Sequence, residues 1–571
     1  MLLFFDWEVF KYDNLVVIMN PMEQKEYVFC NDLAGFKSFY QKHKNHVWVG
    51  YNVRNYDQYI TKAAILGFDL KQVNDWIIVK DRKGWEFSKL FNDVPLNIYD
   101  VMPNPPVSLK TLEAFMGKSI HETSVPFDID RKLTETELCE TIEYCRFDVL
   151  NTIEVFMRRR GEFDAQMDLL KAFNLPIQNL GKTQAQLAAV ILDAKRVFFD
   201  DDWDIRLPDN VLLGKYKSVG EWFLNPNNHN ENASLTMDIA GLEHTIAWGG
   251  IHAGLPKTVV TCDDDEVMFD ADVGQLYPNI MRVYGLLSRA ARKPEMLEYV
   301  LDTSMRLKAE GKKKEREPYK RQCNIFYGAE GDKFNPLYDP LHRTLVCVFG
   351  QVFLIDLIDK IENIITLINS NTDGIFFKVK RKDLPELRRR VSEWEKRTQL
   401  QMEYSEFTKF ISKDVNNYVA VKVDGGIHSK GAYVKDLNDL DYDLPIVNEA
   451  LRNYMIFGTP VEVTVNSCTD LRKFQKVVKL SNKYKWVEHE EGNGTVKFDN
   501  KAYRVFASLD HLDGRLLKCD GVRNPAKFGS TPDHCFIFND DLDGVAIPKK
   551  LDKSYYIKLA KKRLEDFGFQ I

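Results

Sequence analysis

Between Ile364 and Val379 two apolar runs flank a short polar turn, and the centre reads Asn369-Ser-Asn-Thr-Asp-Gly-Ile-Phe-Phe-Lys378. This pattern predicts a β-hairpin with Asp373-Gly374 as the turn pair. It constrains the chain more than any other stretch, because it fixes an antiparallel strand pair and puts one carboxylate, Asp373, at the tip. A lone acid at a turn is ordinarily a solvated turn residue. Its meaning therefore depends on acids elsewhere in the chain.

At 571 residues the chain is too long for one core and is expected to form roughly three or four domains. Hydrophobic content of 44% and charged content of 28% are those of a soluble globular protein. No apolar run approaches the ~18 residues of a membrane span. Acids interrupt the opening Met1-Leu-Leu-Phe-Phe-Asp-Trp-Glu8 at once, unlike a secretory leader. The nine cysteines are scattered and never spaced C-x-x-C, which argues for reduced thiols and against a zinc module.

The net charge of −6 does not announce a nucleic-acid binder, but two local patches do. Ser304–Arg321 carries eight Lys/Arg against three Glu, and Leu471–Trp486 carries six Lys/Arg with Phe474, Tyr484, Trp486 and no acid. Basic residues interleaved with aromatics suit a phosphate backbone with bases packed nearby. A solvated helix face is the competing reading. Strand-like and helical runs alternate over 1–160, predicting an α/β domain. Val267–Val273 reads as a strand, Leu287–Gly328 as helical and basic, Thr344–Lys360 as a long apolar helix, and Ser554–Phe567 as a closing helix.

Near the N-terminus, Asp6 and Glu8 lie two apart on a strand, so alternation places both on one face. Two crowded carboxylates beside a core are costly unless a cation sits between them. Asn52-Val-Arg-Asn-Tyr56-Asp57 adds an acid after a second strand, and Tyr144-Cys-Arg-Phe-Asp148 puts a phenol and a carboxylate on one helix face. Four carboxylates and a tyrosine on an α/β scaffold fit a two-metal nuclease using Mg²⁺, which prefers hard oxygen ligands.

This set resembles the three exonuclease motifs of family B DNA polymerases, which proofread in the 3′–5′ direction. Asp6 and Glu8 match the first motif, Asn52 and Asp57 the second, Tyr144 and Asp148 the third. Ser108-Leu109-Lys-Thr-Leu112 resembles the family's single-strand-binding element, and the resemblance implies Asn52, Tyr56, Ser108 and Leu109 as substrate-binding residues. Lys132 resembles a lysine supporting the exonuclease site in the phage members. The resemblance implies Asp6, Glu8, Asp57 and Asp148 as metal ligands, with Tyr144 and Lys132 as catalytic groups.

The C-terminal half carries the polymerase motifs in family order. Asp272-Val-Gly-Gln-Leu-Tyr277-Pro resembles D-x-x-S-L-Y-P, implying Asp272 and the Val273 carbonyl at the metals and Tyr277 under the sugar of the incoming nucleotide. Lys320-Arg-Gln-Cys-Asn324-Ile-Phe-Tyr327-Gly resembles K-x-x-x-N-S-x-Y-G. Lys320 would bind the triphosphate, with Arg306 and Lys308 near it, and Asn324 and Tyr327 would pack on the nascent base pair. The hairpin resembles D-T-D-S, with Asp373 as second metal-binding aspartate. Trp248-Gly249-Gly250 resembles the template-contacting Y-x-G-G, and Asn416-Asn417-Tyr418 the K-x-Y at the primer terminus.

Departures from the family pattern are Gln275, Ile325 and Gly374 for serines, Asn371 for the first aspartate of D-T-D-S, Ala247 for tyrosine and Asn416 for lysine. The intervals Asp272–Lys320 and Gly328–Asp373, 48 and 45 positions, lack room for the insertions of protein-primed phage polymerases. The expected class is α/β and α+β multidomain, an RNase H-like 3′–5′ exonuclease followed by right-hand palm, fingers and thumb. The implied boundaries are 1–160 exonuclease, 161–260 linker and N-terminal palm, 261–287 palm, 288–333 fingers, 334–435 palm and 436–571 thumb and C-terminal region.

The resemblance implies a compact phage-type DNA polymerase with two Mg²⁺ per site, Mn²⁺ substituting. It would act on primer-template DNA, dNTPs and single-stranded DNA, as a monomer in the host cytoplasm, with a clamp, helicase or single-strand-binding protein as candidate partners. A protein-primed or primer-independent polymerase, a reverse transcriptase and a non-catalytic binding relative stand as alternatives.

Overall fold

The computed structural model describes residues 1–571 and divides into two compact units. One comprises 1–181, 437–446 and 465–557; the other comprises 182–436, 447–464 and 558–571. The stretch 436–571, read from the resemblance as one region, is thus shared between them. The architecture is mixed α/β with several sheets. No helix is long and apolar enough to cross a membrane, and the nine cysteines are free thiols.

In the first unit, β1 (Leu2–Val9), β2 (Asn14–Asn20), β3 (Lys25–Cys30), β4 (Val47–Gly50) and β5 (Asn97–Asp100) form a sheet of order β3-β2-β1-β4-β5. β1 is antiparallel to β2 and parallel to β4. Phe5, Trp7, Phe36 and Trp48 fill the core against it. The Glu135–Arg158 helix starts at a reciprocal cap between Thr134 and Glu137 and packs on β1 and β2. This unit also holds two smaller sheets built from 476–537. There part of the second basic patch is spent internally: Arg472 bonds the Phe115 carbonyl and Asp439, and Lys476 bonds Asp443.

The second unit is built on one large antiparallel sheet. Its strands are β6 (Ser234–Ile239), β7 (Leu242–Ala247), β8 (Gly250–Gly254), β9 (Thr258–Thr261), β10 (Glu266–Val273), β11 (Ile365–Asn371), β12 (Gly374–Lys380), β13 (Met402–Asp414), β14 (Asn417–Lys422) and β15 (Ile427–Lys430). The order is β15-β14-β13-β10-β12-β11-β8-β7-β6, with β9 on β13. The Pro340–Ile361 helix begins at an Asp339 cap and Pro340. It is apolar on all sides because it is buried on nearly all of them. The basic stretch forms two helices, Glu295–Ala309 and Lys313–Glu330.

The hairpin forms, but its turn lies one residue earlier than the Asp-Gly pattern predicts. Asn371 pairs with Gly374, so Thr372 and Asp373 are the loop and Gly374 opens β12. Neither loop residue nor Gly374 takes a positive φ. Glycine is required at 374 for a different reason: a Cβ there would stand 2.1 Å from Asp272 Oδ1 and 2.7 Å from the Ala271 carbonyl.

Candidate active sites

The acids of the first unit converge. Asp6, Glu8 and Cys145 bring their ligand atoms within 4.8 Å of one another. Between the two β1 acids, the Trp7 amide donates to Asp57 Oδ1 at 3.3 Å, fixing the first residue of the Asp57–Leu66 helix. Asp100 takes the Asn52 and Arg54 amides at 2.9 and 3.0 Å, shaping the loop in which Asn52 adopts φ 59°. Tyr56, next to Asp57, donates to Asn74 Oδ1 at 2.7 Å.

Burial first, and then repulsion from neighbouring acids, chiefly Asp57 on Asp6 and Asp148 on Glu8, holds both well above the usual carboxylate range. Burial raises Asp57 to about 7, although the amides of Trp7 and of Asp57 itself oppose the shift. Desolvation and the neighbouring acids push the Tyr144 phenol far up, so it remains a neutral donor to Asp148. The Cys145 thiol is likewise held neutral by burial and donates toward the Asp6 carbonyl at 3.4 Å.

The cation among these acids is Lys110, not Lys132. Lys110 bonds Asp148 Oδ1 at 2.5 Å and Glu113 Oε1 at 3.2 Å, and lies 4.7 Å over the Tyr144 ring. It comes from Ser108-Leu109-Lys110-Thr111-Leu112, which opens the Leu109–Met116 helix with Ser108 Oγ bonded to Thr111 Oγ1. Lys132 is exposed on the loop before the Glu135–Arg158 helix, whereas the Lys110 charge lowers Asp6, Glu8 and Asp148 against their burial. Glu113, fully buried with one unpartnered carboxylate oxygen, is a further acid that the motifs do not contain.

The second cluster is assembled by strand register. β10 pairs with β12 and β13, so Asp272 stands opposite both Gly374 and Glu403. The Val273 amide donates to the Asp373 carbonyl at 2.8 Å, tying β10 to the hairpin loop. Desolvation and then Asp270, Asp373 and Glu403 push Asp272 to about 7, opposed by Lys430. Desolvation and Asp373 raise Asp270 to about 6, opposed by Lys422 and Lys430. Asp270 sits two residues before Asp272, so alternation alone could have flagged it; nothing local flags Glu403.

Asn371 Oδ1 accepts from Lys430 Nζ at 3.4 Å, and His252 hydrogen-bonds the same side chain. Lys430 stands opposite Tyr418 on the β14–β15 ladder. A cation thus reaches this end of the sheet from β15, while Asn416 occupies the lysine position of K-x-Y. Tyr418 is buried against Phe410, with its hydroxyl 3.4 Å from His428. Gly250, φ 155°, lies where a Cβ would meet Thr372 Oγ1 at 2.7 Å, whereas Gly249 faces open space.

Lys320, Asn324 and Gly328 form an exposed face of the Lys313–Glu330 helix. Tyr327 turns inward and packs on Tyr277 with ring centroids 4.2 Å apart. Lys308 pairs with Glu403 and so reaches the acid cluster, while Arg306 pairs with Glu310 on its own helix at 3.2 Å. Gln275, where the resembled motif has serine, adopts φ 48° with its buried amide oxygen unpartnered.

Both clusters present hard oxygen donors, and the first-cluster acids and Asp270 and Asp272 of the second resist ionisation, the situation a divalent cation relieves. Asp6, Glu8, Asp57 and Asp148 fit one such site, Asp272 and Asp373 the other.

No family model matches the chain, and no curated protein matches it. Among solved structures, the chain is similar to the family B DNA polymerase from the hyperthermophilic archaeon Pyrobaculum calidifontis. The identity is 16%, the TM-score 0.44, and the match covers 100% of this chain and 78% of that one.

Proposed function

We propose that this chain is a template-directed DNA polymerase of the compact family B type with a 3′–5′ proofreading exonuclease. The observation that carries the reading is the strand register that sets Asp272 beside the Asp373 loop, joining acids 101 positions apart in sequence. A second acid cluster with its own tyrosine and lysine, in the other unit, supports a separate nuclease site. The mixed five-stranded sheet under that cluster fits an RNase H-like exonuclease, and the large antiparallel sheet under Asp272 fits a palm.

Asp272, Asp373 and the Val273 carbonyl would hold Mg²⁺ at one site, and Asp6, Glu8, Asp57 and Asp148 at the other. Bound there, the ions supply activation of the attacking oxygen and stabilisation of the departing one. The chain's own groups do the rest. Lys320, with Lys308 and Arg306 near it, binds the triphosphate. Tyr277 and Tyr327 wall the nucleotide pocket, with Asn324 on the same helix as Tyr327. Gly249, Gly250 and Tyr418 line the path of template and primer. In the exonuclease, Tyr144 orients the attacking water, and Asn52, Tyr56, Ser108 and Leu109 seat the single strand. The short intervals around 320 and 373 favour a nucleic-acid primer over a protein primer.

Primer extension and single-strand degradation with Mg²⁺ test this. Asp373→Ala is expected to abolish extension and keep degradation, and Asp6→Ala to do the reverse. Loss of both activities in either folded variant refutes the two-site reading, and extension without an annealed primer refutes the priming mode.

A further inference from the structure

Cys347 joins three segments that are far apart in sequence. It lies on the Pro340–Ile361 helix, 1% exposed. Its sulfur is 2.8 Å from the Tyr327 hydroxyl and 3.9 Å from both the Tyr277 hydroxyl and the Gly249 carbonyl. One turn further on, Gln351 donates to the Ala247 carbonyl at 2.9 Å, so the helix is locked to the strand leading into Trp248-Gly249-Gly250. Close packing also fixes its distance from Tyr277, since a Cβ on Gly350 would meet Leu276 Cδ2 at 3.2 Å and Tyr277 Cε1 at 3.6 Å.

The two rings are tilted at 40° to each other, and ring contact alone lets each pivot about its own side-chain bonds. The thiol is the polar group that both hydroxyls share. It shares one hydrogen bond with the Tyr327 hydroxyl, which either group can donate, and its own proton can also turn toward Tyr277 or Gly249. Tyr277 in turn lies within the field of the Asp373 carboxylate. Under the polymerase reading, a nucleotide whose phosphates sit at Asp272 and Asp373 rests its sugar near these two phenols.

We propose that Cys347 is a specificity-determining positioning residue, setting the spacing of the Tyr277 and Tyr327 hydroxyls and thereby the discrimination between deoxyribo- and ribonucleoside triphosphates. This rests on the polymerase reading of the same site. Alanine removes the shared partner and leaves two half-buried phenols free to re-pair or swing apart. Serine keeps a donor and an acceptor at nearly the same place.

The test is single-nucleotide insertion of dCTP and of rCTP opposite a template guanine by the full chain. Wild type, Cys347→Ala and Cys347→Ser are compared, each checked by thermal melting. The ratio of kcat/KM for dCTP to that for rCTP is expected to fall roughly tenfold in Cys347→Ala and to return to within about threefold of wild type in Cys347→Ser. An unchanged ratio in an alanine variant that still inserts dCTP overturns the proposal. So does a serine variant as permissive as alanine, because volume and not the hydrogen bond would then be responsible. If Cys347→Ala fails to fold, the serine ratio decides alone: within threefold of wild type it supports the proposal, and beyond that it overturns it. Wild-type protein that inserts neither nucleotide refutes the polymerase reading and this inference with it.

Discussion

Replacing Gly374 by alanine adds one carbon where β10 and β12 leave no room for it. The new Cβ would stand 2.1 Å from Asp272 Oδ1, 2.7 Å from the Ala271 carbonyl and 3.0 Å from Asp272 Cα. Carbon essentially never approaches these atoms closer than 3.0 Å, so the carboxylate must withdraw by about 0.9 Å and the backbone by about 0.3 Å. The carboxylate alone could rotate away, but the carbonyl belongs to the β10 ladder and cannot yield without parting the strands. Overpacking of this kind costs about 1–3 kcal/mol of stability. Displacing a reactive group by ~1 Å costs ~10²-fold in rate. Gly374 is not in the left-handed region, so the effect is steric and not conformational. The assay is Mg²⁺-dependent primer extension, with single-strand degradation by the same preparation as internal control, since the other acid cluster is untouched. Extension is expected to fall ~10²-fold and degradation to stay within about twofold. Extension within about fivefold of wild type would refute the packing argument. Serine, the residue of the resembled D-T-D-S motif, is expected to behave no better than alanine.

Three further outcomes follow from the same geometry. Asp57 titrates at about 7 in the folded state against 3.8 ordinarily, so the folded chain holds a proton that the unfolded chain gives up. Metal-free stability should therefore fall as pH rises from about 4 to about 7, by at most about 4 kcal/mol from this group. Mg²⁺ should raise the Tm more at pH 8 than at pH 5; a Tm in EDTA that climbs over that range would contradict this. Lys110→Ala should slow single-strand degradation ~10²-fold, as loss of a charged donor does, whereas Lys132→Ala should change it less than about threefold; equal effects would return the role to Lys132. Asn371→Asp places a carboxylate against Lys430 at a partly exposed pair and should change extension less than ~10-fold; a ~100-fold rise would mean that the site lacks an acid it needs.

Several elements and the grouping of acids in both candidate sites were legible in the sequence, because their signals are local. Two-residue alternation puts Asp6 with Glu8, four-residue spacing puts Tyr144 with Asp148, and two apolar runs around a polar turn make the hairpin with Asp373 in its loop. The apolar run at 344–360 forms a helix buried on nearly every side. The sequence could not say which elements meet, since register and packing join residues that share no neighbourhood. Register set Glu403 and Gly374 opposite Asp272 and Lys430 opposite Tyr418. Packing chose Lys110 over Lys132 as the cation of the first cluster and placed Cys347 between two tyrosines. Gly374 shows the division most plainly. The sequence placed a glycine beside the turn, where backbone freedom would explain it; the structure gives it ordinary dihedrals and a carboxylate pressed against its missing side chain.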